Sequence, residues 1–448
     1  EICACLVGSE MCIRDRCCTD KERNMKMRVY SLLFMMLFAL SIGVNAQVKF
    51  FTDVNSKQIK TLQVKVAGEL ISEPYIALGG EEQIEINFDG LGSGYTRYAY
   101  NVVHCNADWT QSQLNPIEYM NGFQGTTIDD FANSIGTTTQ YSNYRLLLPN
   151  DDVQFKVSGN YAIQVYNEDT PDQIIFTACF SVVEPVVNIS ASVSGNTDID
   201  TNQSHQQVSF NINNKNFPIT YPQTDLKIFV YQDNRHDNAV TDLQPMSILE
   251  NQISYTYNRN LIFPAGNEYR RMEFLSNKYN GMHVENISFH NPYYNVELMT
   301  DYRRDKGTYQ YDQDQDGRFF IRCSDCNDPD TEADYYIVHF TLACDPLPDG
   351  SVYLNGELFN NVLDEKSKMG YNFETKQYEK AVLLKQGSYN YQYLFVPTGS
   401  SVGQTGPIEG NYYQTQNEYS IYVYYRPMGA RYDRLIGVTT VRNEMQVF

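Results

Sequence analysis

Apolar and polar positions alternate with a period of two along most of the chain, which is the pattern of half-buried strands. Leu62-Gln63-Val64-Lys65-Val66 and Gln83-Ile84-Glu85-Ile86-Asn87-Phe88 show it first. Asp89-Gly90-Leu91-Gly92-Ser93-Gly94 then breaks the run. Further strands are predicted over Tyr98 to Val103, Tyr144 to Leu148, Val153 to Val157, Tyr161 to Tyr166 and Ile174 to Phe180. About seven strands within ~135 residues have the spacing of a β-sandwich. The connection from Thr110 to Tyr141 is too long for a simple hairpin and predicts a packing or functional excursion.

Past Glu184-Pro185 a second series follows: Val186 to Val193, Val208 to Ile212, Leu226 to Tyr231, Ile253 to Tyr255 and Val284 to Phe289. A third starts near Ala333, with Tyr336 to Leu342, an Asn355-Gly356 hairpin signal inside Val352 to Leu358, and Ala381 to Leu384 meeting Tyr389 to Val396 across Lys385-Gln386-Gly387-Ser388. Tyr389, Tyr391, Tyr393 and Phe395 share one face and are expected core. The expectation is an all-β protein of tandem immunoglobulin-like or early-set β-sandwich domains, over 47–185, 186–332 and 333–442.

The segment before them reads differently. Residues 1–24 resemble a translated sequencing adapter rather than native protein. Lys26 and Arg28, the apolar run Val29 to Ile42 and Val44-Asn45-Ala46 together predict a signal peptide over 25–46, with a mature start at Gln47 and export to the periplasm. The alternative is an uncleaved N-terminal anchor.

Composition sharpens the fold class. The 448 residues hold 36 Tyr and 23 Phe but one Trp, Trp109, which favours strand over helix. The formal net charge of −20 argues against nucleic acid, whose binding rests on Lys and Arg. It suits a basic partner surface.

His104-Cys105-Asn106-Ala107-Asp108-Trp109, Asn115-Pro116-Ile117-Glu118-Tyr119 and Tyr144-Arg145-Leu146 to Pro149-Asn150-Asp151 form one long run, and Glu409-Gly410-Asn411-Tyr412-Tyr413, Asn417-Glu418-Tyr419 and Tyr424-Tyr425-Arg426-Pro427-Met428-Gly429-Ala430-Arg431-Tyr432-Asp433 form another. In that order they resemble the plug protein family of the type IX secretion system. The resemblance covers about Val48 to Arg442. It implies a periplasmic all-β protein that closes the periplasmic mouth of the outer-membrane translocon barrel, its protein partner, without catalysis or cofactor.

Asp312, Asp314 and Asp316 before Gly317 match half of an EF-hand loop, but its twelfth position is Cys323 rather than Glu, so an acidic turn is the simpler reading. Cys323-Ser324-Asp325-Cys326 has no second pair at zinc spacing and no helix to open, which favours an oxidised structural pair. Cys105 and Cys179 are either a disulfide or two buried thiols. His104 and Cys105 point to opposite faces of a strand and so cannot pair as base and nucleophile. Gly399-Ser400-Ser401-Val402-Gly403 fits G-x-S-x-G without the strand-to-helix elbow.

Val352 to Phe359 and Lys385 to Tyr393 also resemble early-set glycogen-binding modules, which leaves a carbohydrate-binding protein as the alternative function. That region has no Trp platform. Arg270, Arg271, Arg303, Arg304, Arg426 and Arg431, each near Tyr in a chain poor in basic residues, are candidate partner contacts together with Trp109. The competing assignments are internal Arg–carboxylate pairing and a Trp that anchors its own loop.

Overall fold

The computed structural model describes residues 48–443, so the expectations for 1–24, the signal peptide and Gln47 lie outside the described residues. The described chain is nearly all β. No described helix is long and apolar enough to cross a membrane.

Residues 53–183 form a two-sheet sandwich. One sheet runs Asp53–Val54, Ile174–Val183, Gly159–Asn167, Tyr98–Cys105, Thr126–Thr127, with Tyr75–Ala77 added in parallel. The other runs Ile59–Val66, Ile84–Leu91, Tyr141–Leu148, Phe131–Asn133. Between them Phe88 stacks on Tyr144 at 5.2 Å and meets Phe176 edge-on at 4.7 Å, the offset and T-shaped geometries that aromatic quadrupoles favour. The long 110–141 excursion does not leave this domain. Its short strands Thr126–Thr127 and Phe131–Asn133 each pair with a strand of the sandwich, and Met120–Gly122 pairs with Val153–Phe155 in a separate two-stranded sheet.

Beyond residue 185 the order of domains along the chain breaks down. Asn188–Ser194, His205–Asn213, Gln252–Ser254 and Ser247–Leu249 make one sheet, with Ile262–Pro264 added to His205–Asn213. The sheet that shares their core is Leu226–Gln232, Glu418–Tyr425, Arg434–Arg442. Glu418–Tyr425 and Arg434–Arg442, the last strands among the described residues, therefore complete the middle sandwich: Ile228 and Val230 pack with Ile421, Val423 and Ile436. The remaining sandwich is made from 270–397, with Arg270–Phe274 and Phe319–Ile321 both paired to Gly387–Pro397. The expected boundary at 332/333 thus falls inside one sandwich, and the expected third domain gives its end to the second. Apolar alternation specifies that a strand exists but not which distant strand it joins.

Two expected hairpins are also corrected. Gln377–Lys385 pairs with Tyr335–Ala343, whereas Gly387–Pro397 pairs with Gly350–Asn355, so consecutive strands belong to facing sheets. Gly387 makes the crossing possible, since a Cβ there would lie 2.5 Å from the Phe320 carbonyl oxygen. At Asn355-Gly356 the chain enters a 3₁₀ turn, Glu357–Phe359, instead of reversing. Tyr389, Tyr391 and Tyr393 are core as expected. Their face is thereby closed to a sugar.

Candidate partner-binding site

The end of the second family-like run, residues 424–433, meets the start of the first, residues 104–118, three hundred residues away in sequence. Tyr98–Cys105 ends in a tight turn in which the Asn106 amide donates to the Thr110 carbonyl (2.8 Å) and the Trp109 amide to the Asn106 carbonyl (3.0 Å). Asp108 accepts from the Thr110 hydroxyl at 2.6 Å and the Thr110 amide at 3.1 Å. Burial alone would raise its pKa, but these bonds hold the carboxylate below its usual range. The turn places Trp109 at φ +64°, left-handed backbone that a bulky residue seldom adopts.

Asp433 of the second run reaches into this turn. Fully buried, it accepts from the Ala107 amide at 2.9 Å and from Lys227 at 3.0 Å, with Arg426 at 3.5 Å. Beside it, Tyr432 meets the His104 ring edge-on at 5.4 Å. His104 Nε2 lies 3.2 Å from the Ser158 carbonyl and Nδ1 lies 2.8 Å from the Ser112 hydroxyl. A carbonyl only accepts, so Nε2 carries the proton and Nδ1 accepts from Ser112. Burial drives the His104 pKa down to about 4, so the ring is neutral at physiological pH. Cys105 faces the other way, into a small cluster with Ala162 and Cys179.

At the rim, Pro116–Tyr119 forms a single helical turn closed by a capping box between Asn115 and Glu118. Arg431 donates to both Glu118 carboxylate oxygens and to the Gln113 carbonyl. What the latch leaves outward is apolar: Ile117 is 78% exposed and Met428 is 102% exposed, with Phe123 exposed farther along the excursion.

The other candidate arginines are engaged within the chain. Arg270 bonds Asp301 at 2.7 Å and Glu409 at 3.0 Å and lies over the Tyr393 ring at 5.2 Å. Arg304 shares Glu409 at 2.8 Å. Arg271 pairs with Asp312 and Arg303 with Asp305. The buried partners of Arg270 and Arg304, Asp301 and Glu409, and that of Arg426, Asp433, stand among Tyr-rich runs, and no periodic signal marks them in the sequence.

The half EF-hand loop is spent on the fold as well. Asp314 accepts from the Tyr269 and Asp316 amides, and Asp316 pairs with Arg442 at 2.6 Å. Among the described residues no group of three His, Cys, Asp or Glu could hold a metal ion. Cys323 and Cys326 are joined by a disulfide, whereas Cys105 and Cys179 are buried free thiols. Burial raises the pKa of both thiols, which keeps them protonated and unreactive.

Comparison with known proteins adds to this geometry. Residues 59–184 match the family model described as "Type 9 secretion system plug protein 1st domain". A crystal structure of a hypothetical protein from Parabacteroides merdae ATCC 43184 is 99% identical, superposes with a TM-score of 0.88, and is matched over 89% of this chain and 100% of its own. No curated protein matches the chain.

Proposed function

We propose a function from the premise that this chain belongs to the type IX secretion system plug protein family. It is a periplasmic, non-enzymatic protein that docks on the outer-membrane translocon barrel and obstructs its periplasmic opening until cargo engages. The plug-domain match over 59–184 carries this reading. Two structural features support it.

A stopper must resist deformation, and the sandwiches here are tied by buried ion pairs. Lys385 reaches Asp89 of the first sandwich at 2.7 Å, and Arg318 bonds both Glu73 and Glu418. A stopper must also present a surface, and the rim beside the Arg431–Glu118 latch leaves Ile117 and Met428 exposed to a partner.

Deleting the gene and measuring dye leakage through an otherwise idle translocon tests the reading. Leakage should rise, and unchanged permeability would refute plugging. Co-purification of the mature chain with the barrel in mild detergent tests the partner directly.

A further inference from the structure

Below the Trp109 turn the three sandwiches surround a cleft of about 860 Å³, within the roughly 300–1,000 Å³ range of ordinary ligand pockets. Its floor is apolar, with Leu62, Val64, Phe180 and Phe229, and Phe51 stands at the mouth, 47% exposed. Trp109 lines one side and meets the His236 ring edge-on at 6.5 Å, and Tyr231 meets the same ring at 4.9 Å.

Polar side chains with unused hydrogen-bonding capacity face this floor. Asn234, His236, Asn360 and Ser401 all line the cleft, and among the described residues none of these side chains has a hydrogen-bond partner. His236 is open to the cleft although protein encloses it, and that enclosure lowers its pKa, leaving a neutral ring with one donor and one acceptor. Of the charged groups that line the cleft, Asp237 pairs with Arg235 at 2.7 Å, Asp108 accepts from the Thr110 hydroxyl and Glu357 from the Phe319 amide, while Lys49 and Asp242 are solvent-exposed.

Left-handed backbone gathers around the cleft, mostly at Asn and Asp, which adopt it readily, with Trp109 the one bulky exception. Trp109, Asn234, Asp242, Asn360 and Asn361 account for five of the thirteen non-glycine residues at positive φ among those described. Such conformations concentrate where a ligand is held.

Neutral polar groups above an aliphatic and aromatic floor suit a peptide better than a sugar. A sugar carries hydroxyls around the whole edge of its ring, and those set against Leu62 and Val64 would give up their hydrogen bonds to water without replacement. A peptide divides its chemistry as the cleft does, with an apolar side chain below and backbone amides above.

We infer that this cleft binds an uncharged, extended peptide segment of the secretion-system partner, with a large apolar side chain on the floor and its backbone amides on Asn234, His236, Asn360 and Ser401. The source of the segment rests on the function proposed above, whereas its chemistry rests on the cleft alone.

Trp109 is the only Trp in the protein, so its emission reports this site. The probe is an array of blocked, Trp-free heptapeptides built from Phe, Tyr, Leu, Val, Thr, Asn and Gly, with matched sets carrying Asp or Lys, and maltotriose for comparison. Uncharged peptides should bind the mature chain and shift Trp109 emission saturably. Asn360→Gly, which keeps the left-handed backbone, and Phe51→Glu at the exposed mouth should each weaken binding at least tenfold while circular dichroism and Tm stay at wild type.

The inference is overturned if no uncharged peptide gives a saturable shift, if both variants bind as wild type does, or if maltotriose alone moves the emission. Peptide binding without barrel co-purification would retain the cleft and remove the plug function. Co-purification without peptide binding would do the reverse.

Discussion

Arg431 and Glu118, 313 residues apart in sequence, meet through hydrogen bonds of 2.7 and 3.1 Å. The pair joins the turn after one of the last strands to the helical turn of the first domain and so sets the position of Ile117 relative to Met428. Exposed ion pairs contribute little to global stability, so the pair serves local order. Arg431→Ala should leave the unfolding midpoint nearly unchanged while amide exchange across 113–119 speeds up. Unchanged exchange there would mean that the capping box alone holds the turn.

Lys385 and Asp89 illustrate the opposite regime. Both are almost fully buried, and Lys385 also donates to the Asp330 carbonyl and lies 4.2 Å from the Tyr141 ring centroid. Lys385→Met leaves the Asp89 carboxylate with only Tyr335 and Asn143 as donors. Removing one partner of a buried pair typically costs about 3–5 kcal/mol, and denaturant unfolding should show a loss of that order. Adding Asp89→Asn should recover most of it, because the stranded charge goes with its partner. A double variant as unstable as the single would place the loss in packing around the lysine stem.

These two pairs show where sequence reading stops. Strand positions from Ile59–Val66 to Ile174–Val183 were readable because the alternation that marks a strand is local. The core role of Tyr389, Tyr391 and Tyr393 was readable for the same reason. The pairing of Leu226–Gln232 with Glu418–Tyr425 was not, since nothing local distinguishes one apolar strand as a neighbour for another. The site divides the same way. The opposite facing of His104 and Cys105 follows from strand geometry, but the carboxylates that occupy Arg270, Arg304 and Arg426 become visible only once the ends of the chain have met.

His104 gives the site an acid sensitivity. Its folded pKa, about 4, lies below the ordinary value near 6.5, so the unfolded chain binds the proton more tightly. Its contribution is therefore complete above about pH 6.5 and is lost as pH falls towards 4. At ~1.4 kcal/mol per unit the loss is at most on the order of 3 kcal/mol. His104→Gln keeps a donor for Ser158 but cannot titrate. Stability relative to this variant should fall for wild type across that window, and a constant difference from pH 7 to 4 would show that the imidazole does not titrate there.

Asp314 titrates with the opposite sign. Burial, then the neighbouring charge of Glu268, raises its pKa to about 7 even though the Tyr269 and Asp316 amides donate to it. The folded chain then holds this proton more tightly than the unfolded chain, whose Asp titrates near 4. Ionisation destabilises the fold progressively from about pH 4 to about pH 7 and by a constant amount above. Asp314→Asn keeps an acceptor for one of the two amides, which bond different carboxylate oxygens, and removes the charge, so the lost bond offsets its stability by a constant amount at every pH. Its stability relative to wild type should therefore climb across that interval, by at most about 4 kcal/mol, and level off near pH 7. Measuring unfolding midpoints of the two proteins from pH 4 to 8 decides the matter: parallel curves would mean that the carboxylate is ionised throughout and that Arg442 and Arg318, paired with Asp316, neutralise both acids of the loop.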